Sequence, residues 1–477
     1  MLFNSFDFGL FLVIVYLVYW AIGVKRRVSQ NIILLVASYI FYGLWDWRFL
    51  SLIAASSLID FYAAKGIEST HKHLSKKLFL WGSIFWNLGV LFVFKYCNFF
   101  IDNFATLFSI ERPAEGFMIW DVIIPVGLSF YTFQTMSYTI DVFRGRIKAT
   151  NNIVEFFCFV SFFPQLVAGP IERAGKLLPQ FQKQRKFDLS VSNDGLRQIL
   201  WGLFKKMVVA DNVAIAVNTI YAAPEEFGSL SLLYASGLFF FQIYCDFSGY
   251  SDIAIGTAKL FGFKLSKNFS IPYLARSGSD FWQRWHITLT RWFMDYVYAP
   301  LIKNHKRNPL VKTVAIFITM TLIGFWHGAN WTFIAFGLLQ AVAISIERIT
   351  IPFGNKQESL IGYIHKAPKF FTSLYIFILI LVSSIFFRSD TIEMAIMIVK
   401  RSFSFIPSEN FSFIIGWKIV SIPLLILTEV LTQRKPFPLT NIEKYISKPV
   451  RWLLYYSIIV LLIRYAGPKE QFIYFQF

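Results

Sequence analysis

Residues 313–346 read TVAIFITMTLIGFWHGANWTFIAFGLLQAVAISI, a stretch of 34 positions without Asp, Glu, Lys or Arg. A helix rises about 1.5 Å per residue, so roughly 20 apolar residues cross the hydrocarbon layer of a bilayer. The stretch is long enough for two short spans. His327 is its one titratable side chain, flanked by Gly324 and Gly328. An ionisable group inside a membrane segment is a functional-site hypothesis by default. Glycines beside it permit a bend or a close approach of backbone. Imidazole, with an ordinary pKa of about 6.5, can accept a proton at neutral pH. The competing reading is an interfacial loop histidine bonded to a carbonyl.

The same texture recurs along the chain. Charge-free segments run 8–24, 28–45, 78–94, 122–140, 156–171, 227–245 and 370–387. Stretches 49–64, 195–220, 281–300, 411–432 and 450–465 read as helices with a few charges. A charge at mid-bilayer costs about 2.5–3.5 kcal/mol on insertion scales, so these helices should face protein or water. The expected fold class is all-α: a polytopic membrane protein of about 11 transmembrane helices plus short re-entrant pieces.

Composition agrees. Of 477 residues, 56% are hydrophobic and 16% charged, against a usual charged share of about 25%. That excludes an all-soluble protein and a disordered one. The net charge of +18 fits basic cytosolic loops better than nucleic-acid binding, for which there is no motif. Lys25-Arg26-Arg27 follow the first span, which places the N-terminus outside and argues against a cleaved signal peptide. The loops then alternate: 65–77 is basic, 97–121 acidic, and Arg144, Arg146 and Lys148 basic again. Loop 172–188, with Arg173, Lys176, Lys183, Arg185 and Lys186, should be cytosolic. Cys97, Cys158 and Cys245 have neither disulfide nor zinc spacing, and no bound metal or cofactor is expected. No Walker loop, Rossmann fingerprint, H-E-x-x-H or G-x-S-x-G is present. The chain reads as one membrane domain over 1–477, its motifs concentrated in 120–350, with an aromatic tail at 467–477.

Two other constellations carry polar groups. In 278–301, a continuous helix would place Arg284, Thr288, Arg291 and Asp295 on one face, with Arg291 and Asp295 an i,i+4 pair. His286 would share the other face with Trp282, Thr290 and Phe293. Such a helix suits the wall of a polar cavity, or an interfacial helix with Trp anchors. In 242–252, Asp246 and Asp252 end an apolar span beside Gly249. They could serve acid–base or metal chemistry, or mark a helix break that bonds its own backbone.

Taken in order, the motifs resemble those of bacterial members of the membrane-bound O-acyltransferase superfamily, of the alginate O-acetyltransferase (AlgI) type. They are the opening Met-Leu-Phe-Asn-Ser-Phe-Asp-Phe, Ile-Pro-Val-Gly-Leu-Ser-Phe-Tyr-Thr-Phe-Gln at 124–134, and Phe-Pro-Gln-Leu-Val-Ala-Gly-Pro-Ile at 163–171. Phe-Trp-Gln-Arg-Trp-His-Ile-Thr-Leu at 281–289 and Trp-His-Gly-Ala at 326–329 are the most specific. The family pattern usually continues past Pro300-Leu301 with two glycines and Asn-Arg; here it reads Ile302-Lys303-Asn304-His305. The resemblance implies that His327 is the catalytic base and His286 a second histidine near a central tunnel. It implies a tunnel lined by Gln134, Asp246, Trp282, Arg284, Trp285, Asp295 and Trp326. The closing Phe-Ile-Tyr-Phe-Gln-Phe at 472–477 is similar to the ending of a small accessory protein among D-alanylating relatives, which implies that Tyr474 could accept the acyl group.

What the resemblance implies is transfer of acetyl from cytosolic acetyl-CoA across a bacterial cytoplasmic (inner) membrane to an extracytoplasmic polysaccharide. The implied partner is a periplasmic or extracellular acetyltransferase of the SGNH type, similar to AlgX or AlgJ. The alternatives are D-alanyl or other acyl transfer to teichoic acid or lipid, a non-enzymatic transporter of a lipid-linked sugar, and a structural subunit of a glycan-modifying complex.

Overall fold

The computed structural model describes residues 3–109, 124–167, 169–353, 356–359, 368–407, 416–468 and 470–475. The start of the 122–140 segment, the acidic residues Glu111, Glu115 and Asp121, the start of 411–432, and Gln476 and Phe477 lie outside the described residues. Among the described residues the chain is helical apart from one hairpin, Thr350–Phe353 paired antiparallel with Lys356–Ser359. It divides into two compact units that interleave in sequence: Met1–Ile199 with Tyr250–Ser266, and Leu200–Gly249 with Lys267–Phe477.

The first unit opens with Phe6–Ala21, whose first turn is capped by the Ser5 hydroxyl accepting from the Phe8 amide at 3.1 Å. Phe8, Phe11, Leu12, Val15 and Tyr19 are buried, while Leu10, Val13, Ile14 and Leu17 are exposed. A helix apolar on both faces and bare on one is a helix against lipid. Arg27–Asp46, Leu50–Ser69, His73–Leu91, Cys97–Leu107 and Leu128–Phe143 follow. The charge in 49–64 does turn inward: Asp60 is buried and accepts from Ser83 and from Asn87 at 2.8 Å. The 156–171 segment is not one span. It is two short helices, Ile153–Ser161 and Phe163–Leu166, broken at Phe162 where Pro164 follows. A proline lacks the amide that a continuous helix would need.

The second unit contains the π-helical turn Phe204–Ala210, Asp211–Ala222, Gly278–Arg284, Ile287–Phe293, Pro309–His327, Trp331–Glu347, Lys369–Arg388, Ile392–Ser402, Ser421–Leu431 and Lys448–Tyr465. Ser229–Leu260 is one unbroken helix of 32 residues. The break expected at Asp246, Gly249 and Asp252 is therefore absent. Gly249 serves a different purpose: a Cβ there would lie 2.8 Å from the Gly202 carbonyl oxygen. The glycine admits a neighbouring backbone and does not end the helix.

The 34-residue stretch splits into two helices, as its length suggests. Gly328 leaves the helix in an extended conformation. Asn330 then caps the next helix, its side chain accepting from the Thr332 amide at 3.0 Å. The two helices pack backbone on backbone. A Cβ on Gly324 would collide with the Phe333 carbonyl, and one on Gly337 with the Met320 carbonyl. Small residues at such a crossing are the usual means of close helix packing in membranes. Five helical stretches among the described residues are long and apolar enough to cross a bilayer: Arg27–Ser69, His73–Leu107, Ser229–Leu260, Pro309–His327 and Phe370–Arg388. The chain is a multi-pass membrane protein.

The crossing yields a test. Gly337→Ala inserts a methyl against fixed backbone, a contact that cannot relax by a rotamer change. Overpacking costs about 1–3 kcal/mol, so the variant is expected to unfold at lower temperature in detergent. Gly9→Ala, where the added Cβ meets nothing within 4 Å, should melt like the wild type.

A candidate active site at two histidines and a tyrosine

Three non-helical or helix-terminal pieces of the second unit bring together the residues singled out in the sequence. His327 is the last residue of Pro309–His327. His286 stands between Gly278–Arg284 and Ile287–Phe293. Tyr474 lies in the short turn Ile473–Phe475. The His327 and Tyr474 ring centroids are 5.5 Å apart, and those of His286 and Tyr474 6.2 Å. Trp326 packs against all three, at 5.1 Å from His327, 5.7 Å from His286 and 6.2 Å from Tyr474. Both histidines are buried, at 1% and 0% exposure, so the imidazoles sit where water does not compete for them.

The continuous helix expected over 281–300 does not exist, and with it goes the shared face of Arg284, Thr288, Arg291 and Asp295. The chain breaks at Trp285–His286, where His286 adopts a left-handed φ of +38°. Arg284 pairs with Asp280 at 2.7 Å, not with the opposite end of the stripe. Arg291 and Asp295 are exposed. The break frees the His286 ring from the helical face and turns it inward.

Asn268 holds that break. Its backbone carbonyl accepts from the Ile287 amide at 2.9 Å. Its side-chain Oδ1 accepts from the Thr288 amide at 3.2 Å and from the Thr288 hydroxyl at 2.9 Å. His286 Nδ1 lies 3.2 Å from the same oxygen. An oxygen already accepting two hydrogen bonds is an acceptor for the imidazole too, so Nδ1 carries the hydrogen and the lone pair of the neutral ring is on Nε2. Glu347 holds the far end of the helix before the break. It accepts from the Gly278 amide at 2.5 Å and the Ser279 amide at 3.1 Å, at the N-terminus of Gly278–Arg284.

Trp282 and Trp285 belong to an adjoining apolar wall. Trp282 Nε1 donates to Gln340 Oε1 at 3.0 Å, and Gln340 Nε2 donates to Ser383 Oγ at 2.7 Å. Trp285 stacks on Phe281, with centroids 5.6 Å apart. Phe240, Trp285, Phe336, Gln340, Ile380 and Phe387 are among the residues around a cavity of about 40 Å³. Phe336 and Phe387 also touch the His327 ring, at 6.0 and 5.1 Å. The cavity and the His327 imidazole thus share two neighbouring rings.

Asp246 sits within this unit, bonded to the C-terminal segment. Its Oδ2 accepts from the Ile473 amide at 2.8 Å, one residue before Tyr474. Its Oδ1 pairs with Lys206 Nζ at 2.8 Å, and Lys206 also pairs with Asp211 at 2.8 Å. Gln134 belongs to the first unit, where it donates to the Phe159 carbonyl at 2.5 Å and accepts from Gln165 at 2.9 Å. Among the described residues no cluster of three or more His, Cys, Asp or Glu has the makings of a metal site.

Asn268, Glu347, Lys206 and Asp211 were not anticipated from the sequence. The helix around 195–220 did signal that its charges should face protein or water, but not which partners they would find.

The profile described as "MBOAT, membrane-bound O-acyltransferase family" matches residues 44–387. A protein of Pseudomonas putida named "Probable alginate O-acetylase AlgI" is 36% identical over 413 residues, 84% of this chain and 80% of its own. A "Peptidoglycan O-acetyltransferase" of Helicobacter pylori is 32% identical, over 79% of this chain and 74% of its own. A "Teichoic acid D-alanyltransferase" of Streptococcus thermophilus is 30% identical over 46% of this chain and 56% of its own. The match crosses both compact units and includes both histidines. The chain is a membrane O-acyltransferase and belongs to the membrane-bound O-acyltransferase family.

Proposed function

We propose that the chain takes acetyl from cytosolic acetyl-CoA and passes it, through an ester on Tyr474, toward an extracytoplasmic polysaccharide. The observation that carries this is the meeting of His327, His286 and Tyr474 within one aromatic cluster. The relatives named as alginate O-acetylase and peptidoglycan O-acetyltransferase support the polysaccharide acceptor. A second, extracytoplasmic acetyltransferase of the SGNH type would complete the transfer.

His327 removes the phenolic proton of Tyr474 as its oxygen attacks the thioester carbonyl. The new O–C bond forms, the C–S bond breaks, and the proton passes from the imidazolium to the departing thiolate. In the second half, a hydroxyl of the partner or glycan attacks the aryl ester. Its proton returns through His327 to the Tyr474 phenolate. General-base help of this kind is worth about 10²–10⁴-fold, and the enclosed setting adds the advantage of proximity. An aryl ester has a better leaving group than an alkyl one, which suits a carrier that must give its acyl group up. His286 lies beside the Tyr474 ring in the same cluster, with centroids 6.2 Å apart.

The cavity beside the cluster, at about 40 Å³, has room for a two-carbon acyl group. Ile380 contributes to its wall.

Incubating purified protein with isotopically labelled acetyl-CoA, followed by mass spectrometry of the 466–477 peptide, is expected to find label on Tyr474. His327→Ala should lower the labelling rate by about 10²-fold or more, and Tyr474→Phe should remove the label. Full glycan acetylation by Tyr474→Phe, with the partner present, would overturn the covalent relay. Equal activity of His327→Ala and wild type would overturn the base.

The cavity makes its own prediction. Ile380→Ala should raise the use of butyryl-CoA relative to acetyl-CoA by about tenfold, the worth of a methylene or two in an apolar pocket. Paired rate measurements with the two thioesters check it.

A further inference from the structure

We infer that Lys206, Asp246 and Gly467 form a latch that fixes the segment 465–474 and so sets the position of the Tyr474 ring, making Lys206 and Asp246 positioning residues for the transfer. This rests on the reading of Tyr474 as the acyl acceptor.

The described residues 465–468 and 470–474 are held at four points, three of them by one stretch of chain. The Asn212 side-chain amide donates to the Tyr465 carbonyl at 2.8 Å. The Gly467 amide donates to the Met207 carbonyl at 2.9 Å. Lys206 Nζ donates to the Glu470 carbonyl at 3.1 Å. The Ile473 amide donates to Asp246 at 2.8 Å. Three of the four grips come from residues 206–212, and the fourth is the carboxylate paired with Lys206. Tyr474 follows the last grip directly.

Two details show how the grip is made. Phe204–Ala210 is a π-helical turn, a widened turn that often marks functional sites. Lys206 within it is 1% exposed, turned away from both lipid and water. Gly467 lies against the backbone of Asp211 and Asn212: a Cβ there would fall 2.6 Å from the Asn212 nitrogen. Any side chain at 467 lifts the segment from its seat. Beyond the latch, Phe472 is fully buried and its ring lies 5.6 Å from both Phe247 and Tyr474.

The consequence is that Tyr474 is a stationary carrier. With its neighbour bonded to Asp246, the ring does not swing between donor and acceptor. The thioester and the second hydroxyl each come to it.

The test uses the full-length protein in nanodiscs. Hydrogen exchange is followed by mass spectrometry across 465–475 and across 331–347, beside the rate of Tyr474 labelling at varied acetyl-CoA. Gly467→Ala removes no charge and no ring of the cluster. Asp246→Asn is the second variant. Both are expected to speed exchange in 465–475 while 331–347 stays protected. Both should lower kcat for labelling by about 10²-fold, the cost of misplacing a reacting group by about 1 Å, with KM for acetyl-CoA unchanged. Wild-type labelling rates in both variants would overturn the latch while leaving Tyr474 as acceptor. Loss of protection across 331–347 in both would also overturn it, since the contacts would then support the fold at large. Absence of label in the wild type would instead remove the acceptor reading itself.

Discussion

Backbone that leaves a helix inside a membrane protein must find its hydrogen bonds in the protein, because lipid offers none. Three pieces of the second unit meet that constraint, and each carries one ring of the site. The break at 285–286 is closed by Asn268, which bonds Ile287 and Thr288. The elbow at 328–330 is closed by the Asn330 side chain, which caps the helix after it and donates to the Asp390 carbonyl at 2.8 Å. The segment 465–474 is closed by Asn212, Met207, Lys206 and Asp246. A side chain on a continuous helix is confined to the surface of its cylinder. A ring at a break or on an extended segment is not, and His286, His327 and Tyr474 meet for that reason.

The geometry has a cost as well as a use. A non-glycine residue at the left-handed φ of His286 is strained by about 1–3 kcal/mol, and the Asn268 bonds offset it. Those same bonds fix which imidazole nitrogen carries the hydrogen, so one interaction sets both the backbone and the tautomer. The aromatic rings around the cluster work in the same direction. Phe247 lies 4.4 Å from Tyr474 and 4.6 Å from His286, and Phe387 5.1 Å from His327. They pack around the two buried imidazoles and limit their contact with water.

The parts of this arrangement that depend on local pattern were legible in the sequence. The charge-free stretch 313–346 is long enough for two helices, the glycines beside His327 permit a bend, and His327 stands out because nothing else in the stretch titrates. The parts that depend on distant partners were not. Helical spacing in 281–300 suggested one face for Arg284, Thr288, Arg291 and Asp295, but the helix breaks at 285–286, where Asn268, 18 residues away from His286, bonds Ile287 and Thr288. Gly249 beside Asp246 and Asp252 resembled a helix end, yet its use is to let the Gly202 backbone approach. A glycine reports that space is short or that φ is unusual, and the sequence alone does not say which.

Lys206 is the clearest case of a group that stability does not explain. Replacing a buried ion pair by apolar residues of similar size is often neutral or stabilising. Keeping it therefore asks for another reason, and its hydrogen count supplies one. An ammonium has three donors, and Lys206 directs its Nζ to Asp211, Asp246 and the Glu470 carbonyl, at 2.8, 2.8 and 3.1 Å. An apolar replacement would leave the Glu470 carbonyl without this donor and two carboxylates facing each other without a cation. One of those carboxylates is the acceptor for the Ile473 amide. Lys206 supplies the donor for the Glu470 carbonyl and pairs with the carboxylate that accepts from the Ile473 amide, so one buried cation serves both contacts.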